Sequence, residues 1–269
     1  MKDKVVIITG ASSGIGRSLA SLYGLRGFRL TIVSRHLDKI EAVGNELRIK
    51  GVEVLALQAD VAKEEDCRKM VEETLKKFGR IDILVNNAGI SMRALFQDVN
   101  LDVIRRLMDT NFWGTVYCTK YALPHLIESK GTVVGVISVA GHIGLPGRTG
   151  YSASKFAVRG FLDALRVENL HTGLKVLVVA PGFTSSNIRR SALVANGDAQ
   201  GATPRDESRM MSPDKVAKRI FRAVKYNRRQ LILTFVEGKL AVLLKQWLPR
   251  VVDWQAYREM AKEPDSPFH

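Results

Sequence analysis

The chain has 269 residues, of which 46% are hydrophobic, and it carries a formal net charge of +14. It shows no internal repeat, low-complexity stretch or shift in composition, so we expect a single domain over residues 1–269. Its apolar runs fall short of the roughly 18 residues that a membrane-spanning helix needs, which argues against an integral membrane protein.

The cysteines and the first residues indicate a location for the protein. Cys67 and Cys118 are far apart in sequence and lack metal-ligand spacing, so we expect two reduced thiols in a cytoplasmic protein. The first apolar segment follows Met1 almost at once, and we therefore expect neither a signal peptide nor an amino-terminal anchor. No cluster of His, Cys and Asp indicates a metal.

Seven apolar segments are predicted to be β-strands. The first six alternate with segments of helical periodicity, which is typical of β-α-β units and hence of a parallel sheet. The predicted fold class is therefore α/β, doubly wound, with a seven-stranded parallel sheet and helices on both faces. The strand segments are residues 4–9, 29–34, 53–58, 81–86, 132–138, 174–180 and 230–235.

A glycine-rich turn follows the first strand and precedes a helical pattern that starts at Arg17. Glycines allow a tight turn and a close approach to a pyrophosphate, whose charge is stabilised by the amino-terminal end of the helix. The spacing G-x-x-x-G-x-G therefore predicts a dinucleotide site, and the alternative is an ordinary glycine-rich loop. The residues assigned to this site are Gly10, Ser12, Ser13, Gly14, Ile15 and Gly16.

The end of the second strand predicts which dinucleotide binds. An NAD site usually has an acidic residue about 20 positions after the glycines, where it binds the ribose 2′-hydroxyl. Here Ser34 is followed by Arg35, and no acidic residue occurs before Asp38. Because an arginine is suited to a 2′-phosphate, we expect NADP(H), bound by Arg35 with help from Ser34, with Arg17 as a second cation. The alternative is that Arg35 is an exposed cation.

Tyr151 and Lys155 are four residues apart, so a helix places both side chains on the same face. A free tyrosine has a pKa of about 10 and is a poor acid at neutral pH. A lysine ammonium nearby favours the phenolate and lowers this pKa, so that the hydroxyl can exchange a proton with a substrate oxygen. The same pattern also arises by chance on exposed helices, so other motifs must decide its meaning.

The motifs in residues 4–185 together resemble the short-chain dehydrogenase/reductase family, whose fold is the Rossmann fold. The family's cofactor turn stands here as Thr9 to Gly16, and its catalytic set corresponds to Ser138, Tyr151, Lys155 and Asn111, the last within a helix predicted at 101–128. The resemblance also implies the remaining cofactor contacts, which are Asp60, Val61, Asn87, Ala88, Gly89, Tyr151, Lys155, Pro181, Gly182 and Thr184.

This resemblance implies reversible hydride transfer between NADP(H) and a carbonyl/alcohol pair. Ser138 would orient the substrate oxygen, Tyr151 would deliver the proton, and Lys155 would lower the tyrosine pKa and bind the nicotinamide ribose. Asn111 would disturb its helix locally and hold a water of a proton relay that ends at Lys155. The alternative of another class is a non-catalytic NADP(H)-binding sensor or scaffold, which would not need all four residues.

The carboxyl-terminal third is basic and then apolar. Residues 186–230 contain eleven cations and four acids, which would attract an anionic lipid, an acidic acyl-carrier protein or the cofactor, or would form a solvated surface. No nucleic-acid module accompanies them, so we expect no nucleic-acid binding. From Lys239 to Trp247, apolar residues recur at helical spacing among cations, which fits either a peripheral membrane contact or a helix packed on the enzyme or a second subunit.

Residues 184–211 lack a strand pattern and are predicted to form a lid over the active site. With the extension at 236–269, the chain resembles the family branches of dehydrogenase/reductase member 7-like proteins, 11β-hydroxysteroid dehydrogenases and ketosphinganine reductases. These branches imply a hydrophobic, lipid-like or steroid-like ketone, and the alternative is a 3-oxoacyl-carrier-protein substrate. The family also implies a homodimer or homotetramer with contacts near residues 101–128 and 151–170. The apolar lid residues Ile188, Leu193, Val194, Met210 and Met211 line a substrate pocket or are exposed or packed against residues 215–226.

Overall fold

The computed structural model describes residues 3–203, 210–263 and 266–268, and a seven-stranded parallel sheet forms their centre. The strand order is β3-β2-β1-β4-β5-β6-β7, which confirms the predicted fold class. The strands are β1 (Val5–Thr9), β2 (Arg29–Ser34), β3 (Val54–Gln58), β4 (Ile83–Asn86), β5 (Thr132–Val136), β6 (Lys175–Ala180) and β7 (Gln230–Ile232). The last strand, predicted over residues 230–235, ends three residues early at Ile232, because the chain turns at Thr234 into a π-helical turn.

Helices cover both faces of the sheet. They are α1 (Gly14–Gly24), α2 (Leu37–Ile49), α3 (Glu64–Phe78), α4 (Leu101–Leu107), α5 (Gly114–Glu128), α6 (Thr149–Glu168), α7 (Pro213–Lys225), α8 (Ala241–Trp247) and α9 (Pro249–Ala261). Alternate residues of β1 point to opposite faces, so that Val6 and Ile8 pack with α1, α2 and α7, whereas Ile7 packs with α3, α5 and α6. The strands are therefore buried on both sides, as their nearly continuous apolar sequences require.

The helix predicted at residues 101–128 is present but is not uniform. A π-helical turn at Met108–Trp113 separates α4 from α5, and Asn111 lies within this turn. Such single-turn insertions add one residue to an α-helix and often occur at functional sites. The local disturbance that the family resemblance implied around Asn111 is therefore confirmed.

The extension at the carboxyl terminus packs partly on the enzyme. Val252 of α9 contacts a cluster that includes Val139 and Ile143, which follow β5. A buried ion pair joins Arg93 to Glu263 at 3.3 Å, so the end of α9 is held against the loop after β4. Within the described residues, no helix has the length and apolar character needed to cross a bilayer.

Candidate active site

A cleft of about 1060 Å³ opens at the carboxyl ends of the strands, where the strand order reverses between β1 and β4. In doubly wound sheets this switch point is where ligands bind. Most residues predicted to bind the cofactor line this cleft: Gly10, Ser12, Ser13, Gly14, Ile15, Ser34, Arg35, Asp60, Val61, Asn87, Ala88 and Gly89. The fold therefore brings together four segments that are distant in sequence, at the ends of β1, β2, β3 and β4.

The glycine turn is shaped by close backbone contacts. Gly10 has a φ of +66°, and a Cβ placed on it would lie 2.9 Å from the Cα of Ala88. A Cβ on Gly16 would lie 2.3 Å from the carbonyl oxygen of Gly10, so Gly16 supports the turn from behind and does not line the cleft. Asn87 Nδ2 donates to Thr9 O at 3.0 Å, and Thr9 Oγ1 accepts the backbone N–H groups of Asn87 and Ala88. The turn is therefore preformed for a close approach by a phosphate.

Cations predominate where the cleft passes the end of β2. Arg35 is exposed there, and Lys39, one helical turn further on, also lines the cleft. The predicted second cation, Arg17, lines it too, but its guanidinium pairs with Glu46 at 2.7 Å. The Oγ of Ser34 donates to Ser12 Oγ at 3.1 Å, so this hydroxyl fastens β2 to the glycine turn.

Four further basic residues of the cleft were not predicted as site residues from the sequence. His36 and Lys39 could have been found, since they stand one and four residues after Arg35. Arg106 and Arg190 come from distant segments, and no local signal marks them. Arg106 Nη1 donates to Gly197 O at 3.0 Å and so ties α4 to the segment above the cleft. Asp60 lines the cleft while its Oδ1 accepts from Ala62 N at 3.1 Å.

A smaller cavity of about 190 Å³ adjoins the cleft. The two share Ile15, Asn87, Gly89, Ser186 and Ile188 as lining residues, so a ligand in the cleft reaches the smaller cavity. Six of the other predicted site residues line this second space: Ser138, Tyr151, Lys155, Pro181, Gly182 and Thr184.

Tyr151 and Lys155 lie on α6 and are both buried. Lys155 Nζ donates to the carbonyl oxygen of Val136 at 3.0 Å, and burial lowers its pKa to about 8. Burial also raises the pKa of Tyr151, and a hydrogen bond with Ser138 and the positive charge of Arg148 oppose this rise. The predicted lowering of the tyrosine pKa by Lys155 is not seen, because the ammonium is turned toward the end of β5, with Nζ 5.8 Å from the tyrosine ring centre.

Ser138 follows β5 by two residues and begins a 3₁₀ turn at Val139–Gly141. Its Oγ accepts the backbone N–H of Ala140 at 3.2 Å, which is the usual capping interaction at a helix start. The turn presents the serine hydroxyl to the tyrosine across the smaller cavity.

Asn111 lines neither cavity. Its Oδ1 accepts from Ile90 N at 2.9 Å, and its Nδ2 donates to Ile90 O at 3.0 Å and to Ser154 Oγ at 2.9 Å. A Cβ on Gly89 would lie 3.0 Å from Asn111 Oδ1 and 3.2 Å from Lys155 Nζ, so Asn111 packs against two residues that line the smaller cavity. Asn111 therefore fixes the loop after β4 against α6, and its side chain points away from the substrate space.

Two buried arginines were not predicted as parts of the site. Arg148, at the start of α6, donates to Ser91 Oγ at 3.0 Å, and Arg189 donates to Thr184 O at 3.0 Å. Both line the smaller cavity. The prediction of a solvated basic surface over residues 186–230 is wrong for Arg189, because the segment after β6 folds this side chain inward. Arginine is mostly exposed in proteins, so the sequence held no signal of its burial.

Thr184 and residues 186–191 of the segment predicted as a lid line one or both cavities, and residues 204–209 lie outside the described part of the chain. Backbone hydrogen bonds of 2.8 Å join Leu193 to Ser91 and to Arg93, so this part is docked. Ile188 lines both cavities, and Leu193 lines the larger one, but Val194, Met210 and Met211 line neither. Met211 packs instead on the core cluster that includes α7, which is the second of the predicted alternatives.

The doubly wound sheet, the dinucleotide cleft and the adjoining Ser/Tyr/Lys cavity together define a nucleotide-binding oxidoreductase. The family model for short chain dehydrogenases matches residues 4–196, and the chain therefore belongs to the short-chain dehydrogenase/reductase family. Members of this family act on CH–OH groups with a nicotinamide cofactor, and so does this chain.

Relatives and solved structures agree with this membership. The chain is 34% identical over 254 residues to dehydrogenase/reductase SDR family member 7B of Mus musculus and 37% identical over 257 residues to 11-beta-hydroxysteroid dehydrogenase-like 3 of Arabidopsis thaliana. Each match covers 93% of this chain and 79% of the relative.

An alcohol dehydrogenase from the archaeon Thermococcus sibiricus, complexed with 5-hydroxy-NADP, superimposes with a TM-score of 0.77 at 25% identity, covering 88% of this chain and 98% of that one. A Burkholderia phymatum short chain dehydrogenase/reductase in complex with NAD has a TM-score of 0.81 at 21% identity and covers 94% and 95%. The second likeness shows the shared fold.

Proposed function

We propose that this protein is an NADP(H)-dependent reductase that converts a hydrophobic ketone to its alcohol. The observation that carries the proposal is the placement of Ser138, Tyr151 and Lys155 around a cavity that adjoins the dinucleotide cleft. The open glycine turn at Gly10 and the amino-terminal end of α1 fit a pyrophosphate, so the residues present suit a nicotinamide dinucleotide. Such a cofactor supplies the hydride when it is bound.

The protein's own residues then handle the proton. Tyr151 donates its hydroxyl proton to the substrate oxygen, which the Ser138 hydroxyl orients by a second hydrogen bond. Ser138 and the Arg148 guanidinium stabilise the phenolate that remains, since both already oppose the rise of the tyrosine pKa. Lys155 stays within reach of the cavity as an ammonium below pH 8 and binds the ribose hydroxyls, while Asn111 holds Ile90 and Ser154 in place and supports a relay toward Lys155.

Preference for NADP(H) over NAD(H) is the second part of the proposal. Arg35 and Lys39 both line the cleft beyond the end of β2, and the sequence has no acidic residue directly after this strand to bind a ribose 2′-hydroxyl. Two cations at this position favour a 2′-phosphate, because a guanidinium donates charge-assisted hydrogen bonds to it.

The substrate proposal rests on the lining of the smaller cavity. Val139, Leu145, Phe183 and Ile188 give it a mostly apolar surface. Two relatives of this chain bear names of hydroxysteroid dehydrogenase-like proteins, which supports a lipid-like or steroid-like ketone. An acyl chain on an acidic carrier is the second candidate. Seven exposed cations lie between Lys215 and Arg229, and such a basic surface would attract an acidic carrier protein.

Replacement of Tyr151 by Phe tests this mechanism. We expect turnover to fall by about 10²–10⁴-fold with a ketone that the wild type reduces, since the proton donor is lost, while NADPH affinity changes little. Tyr226→Phe, an exposed tyrosine after α7, is the matched control and should keep full activity. A Tyr151→Phe enzyme of wild-type rate would contradict the mechanism. A wild type that binds NADPH but reduces no carbonyl in a broad panel would favour the non-catalytic sensor.

We further propose that the chain acts as one cytoplasmic domain that forms homodimers or homotetramers and contacts membranes peripherally. Trp113 beside the start of α5 and Phe156 on α6 are 43% and 42% exposed, which supports subunit contact through these helices. Trp247 and Trp254 on the carboxyl-terminal helices are 77% and 58% exposed beside cations, which supports the membrane contact.

A further inference from the structure

Two cysteine side chains that are 51 positions apart in sequence meet between α3 and α5. Cys118 Sγ donates to Cys67 Sγ at 3.5 Å, and Cys67 Sγ donates to the carbonyl oxygen of Val61 at 3.4 Å. Both side chains are buried, at 0% and 1% exposure, among apolar residues of the same core cluster. The fold thus turns two cysteines that look independent in the sequence into a contacting pair.

Val61 connects this pair to the cofactor cleft. It lines the cleft beside Asp60, and its carbonyl oxygen is the last acceptor in the chain of thiol hydrogen bonds. Gly114, the first residue of α5, leaves no free space there, since a Cβ on it would lie 2.8 Å from Val61 Cγ2 and 3.1 Å from Val61 O. A movement of either sulfur atom therefore displaces Val61, because the interior around it is close-packed.

We propose that Cys67 and Cys118 form an oxidisable dithiol, which hydrogen peroxide converts to an intrachain disulfide that joins α3 to α5 and alters the cofactor cleft at Val61. One thiolate attacks a peroxide oxygen, the O–O bond breaks, and a sulfenic acid and hydroxide form. The second thiol attacks the sulfenic sulfur, an S–S bond forms, and water leaves. In total, the two thiols lose two electrons and two protons, and the peroxide is reduced to two molecules of water.

Burial determines which oxidant reacts and how fast. Hydrogen peroxide is little larger than water and can reach the thiols through a small opening. A bulky disulfide oxidant would need a much larger opening in the closed apolar cluster. The hydrogen bond to Cys67 and burial raise the pKa of the Cys118 thiol, so it stays protonated at neutral pH and reacts only when the region around α3 and α5 opens. Disulfide formation also removes the thiol proton that Val61 O accepts, so the oxidised state has a changed cleft. In a reducing compartment such a disulfide is transient, as redox-sensing disulfides are.

The test compares wild type, Cys67→Ser and Cys118→Ser after treatment with hydrogen peroxide, with thiols counted in denaturant and peptides mapped without reductant. The wild type should lose both thiols together, yield one linked peptide pair containing residues 67 and 118, and recover both thiols with dithiothreitol. The single variants should form no intrachain link. Survival of both thiols under peroxide, or a link only between different chains, would overturn the dithiol.

The connection to the cleft rests on the proposed cofactor site and has its own measurement. NADP⁺ at about ten times its Kd should slow oxidation about tenfold, since binding to the closed form competes with opening. The oxidised wild type should also bind NADP⁺ at least about threefold more weakly than the reduced protein. If NADP⁺ binds but neither effect occurs, the coupling through Val61 is wrong. If NADP⁺ does not bind the reduced protein, the proposed function fails, and the linked peptide alone decides the dithiol.

Discussion

At the scale of single residues, the buried ammonium of Lys155 serves the proposed function and lowers the stability of the folded protein. It is 4% exposed, and burial lowers its pKa from 10.5 to about 8. Below pH 8 the buried ammonium therefore lowers the free energy of unfolding by its full amount. This destabilisation falls to zero as the pH rises from about 8 to 10.5, because the folded protein loses the proton first and the unfolded chain loses it near pH 10.5. At about 1.4 kcal/mol for each pKa unit, the cost at pH 7 is about 3 kcal/mol.

We expect Lys155→Met to inactivate the enzyme and to raise the free energy of unfolding at pH 7. The gain is about 2 kcal/mol, because the lost hydrogen bond to Val136 O offsets part of the relieved cost. Urea unfolding at pH 7 and pH 10 measures it, and the gain over wild type should shrink at the higher pH. Lys120→Met, an exposed change on α5, should show no such dependence. Parallel wild-type and Lys155→Met curves across this range would contradict the prediction.

At the same scale, we predict that Arg35 decides the cofactor preference. One charge-assisted contact with a 2′-phosphate gives roughly a tenfold to hundredfold preference for NADPH over NADH, and Arg35→Asp should abolish or reverse it. Titration of both cofactors by fluorescence measures the ratio. Arg48→Asp is the matched control, since this arginine is exposed on α2, pairs with Glu41 at 3.0 Å and lies outside the cleft. Equal wild-type affinities for the two cofactors would show that Arg35 does not contact the phosphate.

At the scale of elements, the π-helical turn at Met108–Trp113 and the loop after β4 depend on each other. Asn111→Ala removes the partners of both backbone groups of Ile90 and of Ser154 Oγ. We expect a loss of about 1–3 kcal/mol in the free energy of unfolding, together with a lower kcat, because the loop that carries Gly89 loosens. Asn45→Ala, an exposed change on α2, should have little effect. Unchanged stability in Asn111→Ala would show that water replaces these contacts.

At the scale of the whole molecule, the carboxyl-terminal helices leave much apolar surface uncovered. α9 buries only Val252 and Met260 among its described residues, while Trp247 and Trp254 remain exposed. We expect the protein to sediment with anionic vesicles. The double variant Trp247→Ser/Trp254→Ser should bind the vesicles at least about tenfold more weakly, because it lacks two apolar side chains that the membrane would bury. Trp113→Ser is the control for a change of the same type elsewhere. If the double variant and Trp113→Ser bound vesicles equally well, the carboxyl-terminal helices would not be the membrane contact.

The sequence by itself determined the features that local rules govern. β-Branched apolar runs, the glycine turn after β1 and the spacing of Tyr151 and Lys155 specify strands, a phosphate-binding turn and a shared helix face, because each depends on residues close in sequence. The sequence also predicted Arg35 to lie beside the cleft, since a parallel sheet brings the carboxyl ends of its strands to one edge.

Tertiary structure alone decided the contacts between distant segments. It buried Arg148 and Arg189 in the wall of the smaller cavity, directed Lys155 Nζ to Val136 O, and brought Cys67 to Cys118. Each of these results depends on how helices and loops pack across the sheet, and the energy of a buried charge or thiol depends on all the groups around it. Residue types and spacing do not specify those neighbours. The sequence therefore predicted which residues form the site, but it could not predict their pKa values and hydrogen bonds.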